Sequence, residues 1–399
     1  MRFSLPVVLL AGLGLAADPS VWDFDDSCQT PERLDRFTKA YNDAELMAVK
    51  AQGDMRTLNT ARPSFERMDS PGLRNWDRIA RAALNMFGFA PNKDGHDPNE
   101  EHFSNVMYVY DRMVKTLHDG QLVPENGYGG IKPLLMCDEK KWVWVGKDDK
   151  DPNDPAGRPL RESRASTIAG YNGAWVYKKR YLAAVTKQDT PGLCREGVWA
   201  TTMTRYDFII FCDVSFGDQA ANTKSAVDAK DTAAKGDKLN SYSTSSLARI
   251  MVHEFAHWFG ADKTGGPDNR DVKDQQAVGK NGDFIFLSDN KYVTDANAPG
   301  AQVVKVCKLT LLSQDPFPRL IPVITDDFLW ASNLARSHLG DKAGNSGPSR
   351  STFTAESYAL FSIMSYMDNW DWSGDGIAKD FSMIPYKQLP NGKKFRLDG

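Results

Sequence analysis

The segment 247–260 constrains this chain more than any other stretch. It reads Leu-Ala-Arg-Ile-Met-Val-His-Glu-Phe-Ala-His-Trp-Phe-Gly. Ile250, Met251, Val252, Phe255 and Phe259 spread around a helical circumference, so the spacing predicts a largely buried helix. Ser245 and Ser246 suit an N-cap and Gly260 suits a stop, which bounds the helix. Residues four apart share one face of a helix. His253 and His257 therefore aim two imidazoles the same way, with Glu254 beside the first. Burying these three groups together without a compensating charge would be costly. A metal removes that cost, and HExxH on a helix is the spacing by which two histidines bind zinc while the glutamate serves as general base. Catalytic zinc takes three protein ligands and keeps one position for water. The chain still has to supply the third ligand.

Composition narrows the class of protein that carries this helix. The 399 residues include 49 Lys and Arg against 52 Asp and Glu, a formal net charge of −3. That balance argues against a strongly basic nucleic-acid binder. Ten Trp, 13 Tyr and 20 Phe supply ample apolar surface, which argues against disorder. One apolar run occurs, from Leu5 to Leu15, after Met1-Arg2 and before the small residues Gly14-Leu15-Ala16-Ala17. It reads as a secretory signal peptide over residues 1–17, cut near Ala16 or Ala17. The run is shorter than the about 20 apolar residues of a membrane span. Secretion, with no membrane partner, is the expectation. Cys28, Cys137, Cys194, Cys212 and Cys307 have no CxxC spacing, so a cysteine zinc site is not expected. They suit up to two disulfides and one leftover thiol, with the pairing open. No Asn-x-Ser/Thr sequon occurs.

Along the chain, residues 18–90 read as helical, with Leu34, Phe37, Tyr41, Leu46 and Val49 as a core stripe. A second helix carries Trp76 to Phe87 and stops at Gly88, and a third covers 99–118. Trp142–Val145 and Tyr206–Cys212 read as strands. Residues 146–164, 217–240 and 261–300 are polar and rich in small residues and read as loops or insertions. A last strong helix spans about 355–368. No clean linker appears. The expected fold is α+β and zincin-like, with the HExxH helix under a small sheet and a helical N-terminal layer. The partition is one catalytic unit over 18–399: helical part 18–135, core about 136–372, tail 373–399.

Three ordered segments carry a family resemblance over roughly residues 205–370. Ile324-Thr325-Asp326-Asp327-Phe328-Leu329-Trp330-Ala331 resembles the GTxDxxYG segment of the aspzincins, the deuterolysin and fungal lysine-specific metallo-endopeptidase family. Thr354-Ala355-Glu356-Ser357-Tyr358-Ala359-Leu360-Phe361 resembles that family's NADSYALF helix, and Ile209–Phe216 its strand before the active-site loop. The resemblance implies one zinc ion per chain on His253, His257 and Asp327, with Glu254 as general base. It also places Glu356, Tyr358 and Trp330 at the substrate pocket. Trp330 stands where the family has a Tyr that donates to the developing oxyanion, and Ile324 where it has Gly. About 70 residues separate His257 from Asp327, a length that loop-closure entropy tolerates as a surface excursion.

Alternatives stay open at this stage. Asp326 competes with Asp327, since in a pair of Asp one often caps a turn while the other faces the site. Asp262 competes in a metzincin-like arrangement, with Met364 in Ser362–Tyr366 as its Met-turn, although Lys263 occupies the usual ligand position. In the aspzincin reading Met364 is core filler. The expected activity is secreted zinc endopeptidase, acting on protein or peptide substrates as a monomer. A zinc-bound binding protein without catalysis is the reading from a different class. His96, His102, His118 and His338 have no partner at metal spacing and read as surface residues.

Overall fold

The computed structural model describes residues 19–63, 71–89, 101–261, 272–288, 291–294, 302–303, 319–322, 327–336, 344–381, 387–388 and 395–396. In chain order, β1 (Asp23–Phe24) precedes three long helices, α1 (Pro31–Leu58), α2 (Pro71–Phe87) and α3 (Glu101–Leu117). Then come β2 (Leu134–Met136), β3 (Val143–Gly146), α4 (Leu160–Ser163), β4 (Gly173–Tyr177), β5 (Arg180–Ala184), β6 (Ala200–Met203) and β7 (Phe208–Phe211). Short helices α5 (Asp218–Asn222), α6 (Ala226–Ala229) and α7 (Asn240–Ser243) lead into α8 (Leu247–Gly260). The chain continues through β8 (Ile285–Ser288), β9 (Lys291–Thr294), β10 (Gln302–Val303), β11 (Arg319–Pro322), α9 (Phe328–Arg336), α10 (Pro348–Ser351) and α11 (Ala355–Tyr366). It ends on β12 (Lys387–Gln388) and β13 (Phe395–Arg396). This is a mixed α and β chain with small sheets, as the α+β expectation has it.

The helical core forms because apolar residues of α1, α2, α3, α8 and α11 face one another. Helix α8 packs against α1, α3, α11 and β6. Pro31 at the start of α1 costs no hydrogen bond there, because a first-turn N–H has no helical acceptor. The buried face of α1 is Phe37, Tyr41, Ala44, Met47, Ala48, Ala51 and Met55. Leu34 and Leu46, expected in that stripe, are 38% and 42% exposed. Alanines take their place, and small side chains let neighbouring helices come close. Trp22 stacks on Phe255 with centroids 5.7 Å apart, and its indole N–H donates to the Tyr41 hydroxyl at 2.9 Å. The N-terminal segment is thus part of the bed on which α8 lies.

The sheet nearest α8 has the order β1-β2-β7-β6. Its first three strands are parallel, β6 runs antiparallel to β7, and among the described residues β6 is the edge strand. All four residues of β7 are buried, as its unbroken apolar run requires. Two disulfides, Cys28–Cys137 and Cys194–Cys212, brace this region. Cys307 lies outside the described residues. The stretch 217–240, expected on the surface, buries Ala226, Ala229 and Leu239 in the helical core. Met364 is buried on α11 as core filler.

Candidate metal centre

Helix α8 carries the two histidines on one face, one turn apart. Their Nε2 atoms are 3.2 Å from each other. The second nitrogen of each ring meets an acceptor: His253 Nδ1 is 3.0 Å from Glu356 Oε2, and His257 Nδ1 is 2.7 Å from the Val272 carbonyl oxygen. A carbonyl or ionised carboxylate can only accept, so both Nδ1 atoms donate. The Nε2 atoms then face each other with lone pairs, which only a proton or a cation between them can hold at that separation.

A third donor closes the group. Asp274 Oδ1 lies 3.0 Å from His253 Nε2 and 3.3 Å from His257 Nε2. The three residues form a set that could hold a metal ion. Tetrahedral zinc with ligands at about 2.0–2.1 Å separates neighbouring donor atoms by about 3.3–3.4 Å. The observed triangle is within a few tenths of an ångström of that on every side, so these residues fit such an ion. Without a metal the same triangle favours a proton. Burial lowers the His253 pKa, but Asp274, Glu356 and Glu254 outweigh it and push the imidazole up to about 10. Burial likewise raises the Asp274 carboxyl, yet the two imidazoles hold it well below the usual carboxylate range. A metal must displace that proton, so affinity rises with pH.

The loop after α8 supplies both Asp274 and the Val272 carbonyl. Gly260 makes its approach feasible, since a Cβ there would sit 2.8 Å from the Cβ of Val272. The role of Gly260 is therefore close approach rather than a left-handed stop; α8 runs through it and Ala261 turns the chain into extended backbone. Beyond it, Lys273 N–H donates to the Phe353 carbonyl at 2.8 Å and Ala355 N–H to the Lys273 carbonyl at 3.3 Å. These bonds tie the Asp274 loop to the start of α11, where Glu356 sits. Glu356 is fully buried and binds Arg249 through both carboxylate oxygens, Oε1 accepting from Arg249 Nε at 3.2 Å. The same carboxylate thus meets Arg249 on one side and His253 Nδ1 on the other.

Several expected site residues take other places. Asp327 is not in the donor triangle; its Oδ1 accepts the Trp330 N–H at 2.9 Å and caps the first turn of α9. Burial, together with the nearby Glu356 charge, raises its carboxyl above the ordinary value. Asp327 thus caps a turn, while Asp326 and Asp262 lie outside the described residues. Glu356 is a partner of His253 and Arg249. Tyr358 is buried against Phe87 and Tyr110 in the helical core, and its hydroxyl donates to the Thr352 carbonyl at 2.7 Å. The Trp330 ring packs against Tyr292, with centroids 5.5 Å apart. His118 pairs with Glu45 at 2.6 Å, and His96 and His338 lie outside the described residues.

A cleft of about 310 Å³ opens beside the donor group, lined by Ala200, Thr201, Thr202 and Thr204 on one side and Glu254, His257, Lys273 and Asp274 on the other. The Asp274 side chain is 42% exposed, so the donor group has an open side facing it. No described helix is long and apolar enough to cross a membrane. Comparisons with protein-family models, curated proteins and solved structures give no match for this chain.

Proposed function

We propose that this chain is a secreted zinc-dependent endopeptidase, aspzincin-like in its donor set of two histidines and an aspartate, with Asp274 in the aspartate's place. The observation that carries this reading is the His253, His257 and Asp274 triangle with Glu254 on the rim of the same cleft. Imidazole and carboxylate donors in a three-plus-one arrangement suit zinc. When bound, the ion supplies a polarising charge for a peptide carbonyl and an acidified water molecule. Glu254 would be the group that accepts a proton from water in the cleft and returns it to the leaving nitrogen. Glu356 and the Val272 carbonyl hold the imidazoles in the tautomer that presents Nε2 to the ion. Among the described residues the outer edge of β6 is unpaired, which suits an extended peptide adding as a further strand along the cleft. Two disulfides are compatible with an extracellular location.

Two expected outcomes follow from these roles. Glu356→Gln keeps the volume but removes the negative charge that meets Arg249 and weakens the acceptor for His253. Zinc affinity measured by competition with a chromogenic chelator should fall about 10–100-fold, the usual cost of losing an outer partner of a ligating histidine. For the activity, the purified wild-type chain should contain one zinc and hydrolyse casein, lose both with a strong chelator, and recover both on zinc addition. Zinc retained with no hydrolysis of any unfolded protein would instead favour the non-catalytic binding protein.

A further inference from the structure

We propose that Thr202 is the positioning residue that aims the Glu254 carboxylate, so that the edge strand which receives the substrate also sets the base. This rests on the reading of Glu254 as general base. Thr202 Oγ1 lies 2.6 Å from Glu254 Oε2 and 3.1 Å from the Glu254 carbonyl oxygen. A hydroxyl has one proton to give, and the shorter, charge-assisted bond to the carboxylate takes it. Among the described residues no other hydrogen bond is made to this carboxylate. Glu254 is only 6% exposed, so water around it cannot replace the bond freely.

The position of Thr202 is fixed by the sheet rather than by the helix. Its Cα pairs with Ile209 in the register of β6 on β7, and its branched Cβ restricts χ1. One carboxylate oxygen is thus bound to the sheet, which leaves Oε1 for proton transfer in the cleft. General-base transfer needs that oxygen within hydrogen-bond reach of the proton. Thr202 and its neighbours Ala200 and Thr201 also line the cleft. A peptide laid along β6 is therefore placed in register with the residue that aims the base.

Thr202→Val removes the hydroxyl at nearly constant shape, and Thr202→Ser retains it. Both variants and the wild type are assayed with zinc on a fluorogenic peptide, and zinc per chain is measured for each. The Val variant should lose about 10–100-fold in kcat, the range expected for one hydrogen bond to a charged group, with KM and zinc content unchanged. The Ser variant should recover most of the loss. Crystals of the zinc-free Val variant should show Glu254 Oε2 displaced from its place against β6. A Val variant with kcat within twofold of wild type overturns the proposal, and so does a carboxylate that stays in place. If the wild type hydrolyses nothing, the peptidase reading falls, while the Glu254 position in the Val crystal still decides whether Thr202 fixes the carboxylate. A Val variant that fails to melt cooperatively is replaced by Thr202→Ala, judged by the same outcomes.

Discussion

Asp274→Ala is expected to weaken zinc binding about 10²–10³-fold, while Asp327→Ala leaves it within a few-fold of wild type. The contrast follows from where the two carboxylates lie. Asp274 Oδ1 stands within 3.3 Å of both Nε2 atoms, whereas Asp327 Oδ1 is engaged by the Trp330 N–H at the start of α9. Structural zinc sites are worth about 10–16 kcal/mol over four ligands, or roughly 2.5–4 kcal/mol per ligand. Loss of one ligand should therefore weaken binding about 10²–10³-fold. Asp327→Ala should act on stability instead, costing about 0.5–2 kcal/mol as the loss of a helix cap. Equilibrium dialysis against buffered zinc and urea unfolding of the two variants separate the effects. Zinc binding lost in Asp327→Ala and kept in Asp274→Ala would restore the ligand set implied by the family resemblance.

Glu254→Gln is expected to lower kcat by about 10²–10⁴-fold, the usual contribution of a positioned general base, with zinc content unchanged. The amide preserves volume and can still meet Thr202, so the fold around α8 should survive. What it removes is the ability to accept a proton from water. Because Glu254 lies beside rather than within the donor triangle, the metal should stay at one per chain. Steady-state kinetics on a peptide, with metal analysis of the same sample, reads both numbers. Full activity in this variant would remove Glu254 from the mechanism.

Much of the architecture was legible because it depends on local periodicity. The α8 helix, the β7 run and the α11 helix follow from apolar spacing that tertiary context reinforces. The third donor was not legible, and the reason is physical. Asp274 sits in a polar stretch that reads as an insertion, and nothing in its own spacing points to a ligand. Val272, Ala277 and Val278 flank it and are buried, and that short apolar signature was the available clue. The loop is held by long-range backbone bonds to residues 353 and 355 and by the absence of a side chain at Gly260. Such constraints exist only once two distant segments meet. Glu356 illustrates the same limit: its sequence context suggested a pocket acid, but its charge partner Arg249 lies 107 positions away and turns it toward His253.

The most direct measurement is an anomalous difference map at the zinc edge from crystals grown with equimolar zinc. One peak is expected, about 2.0–2.2 Å from His253 Nε2, His257 Nε2 and an Asp274 carboxylate oxygen. No peak between the two imidazoles, or a peak ligated by Asp327 while Asp274 faces away, would contradict the assignment.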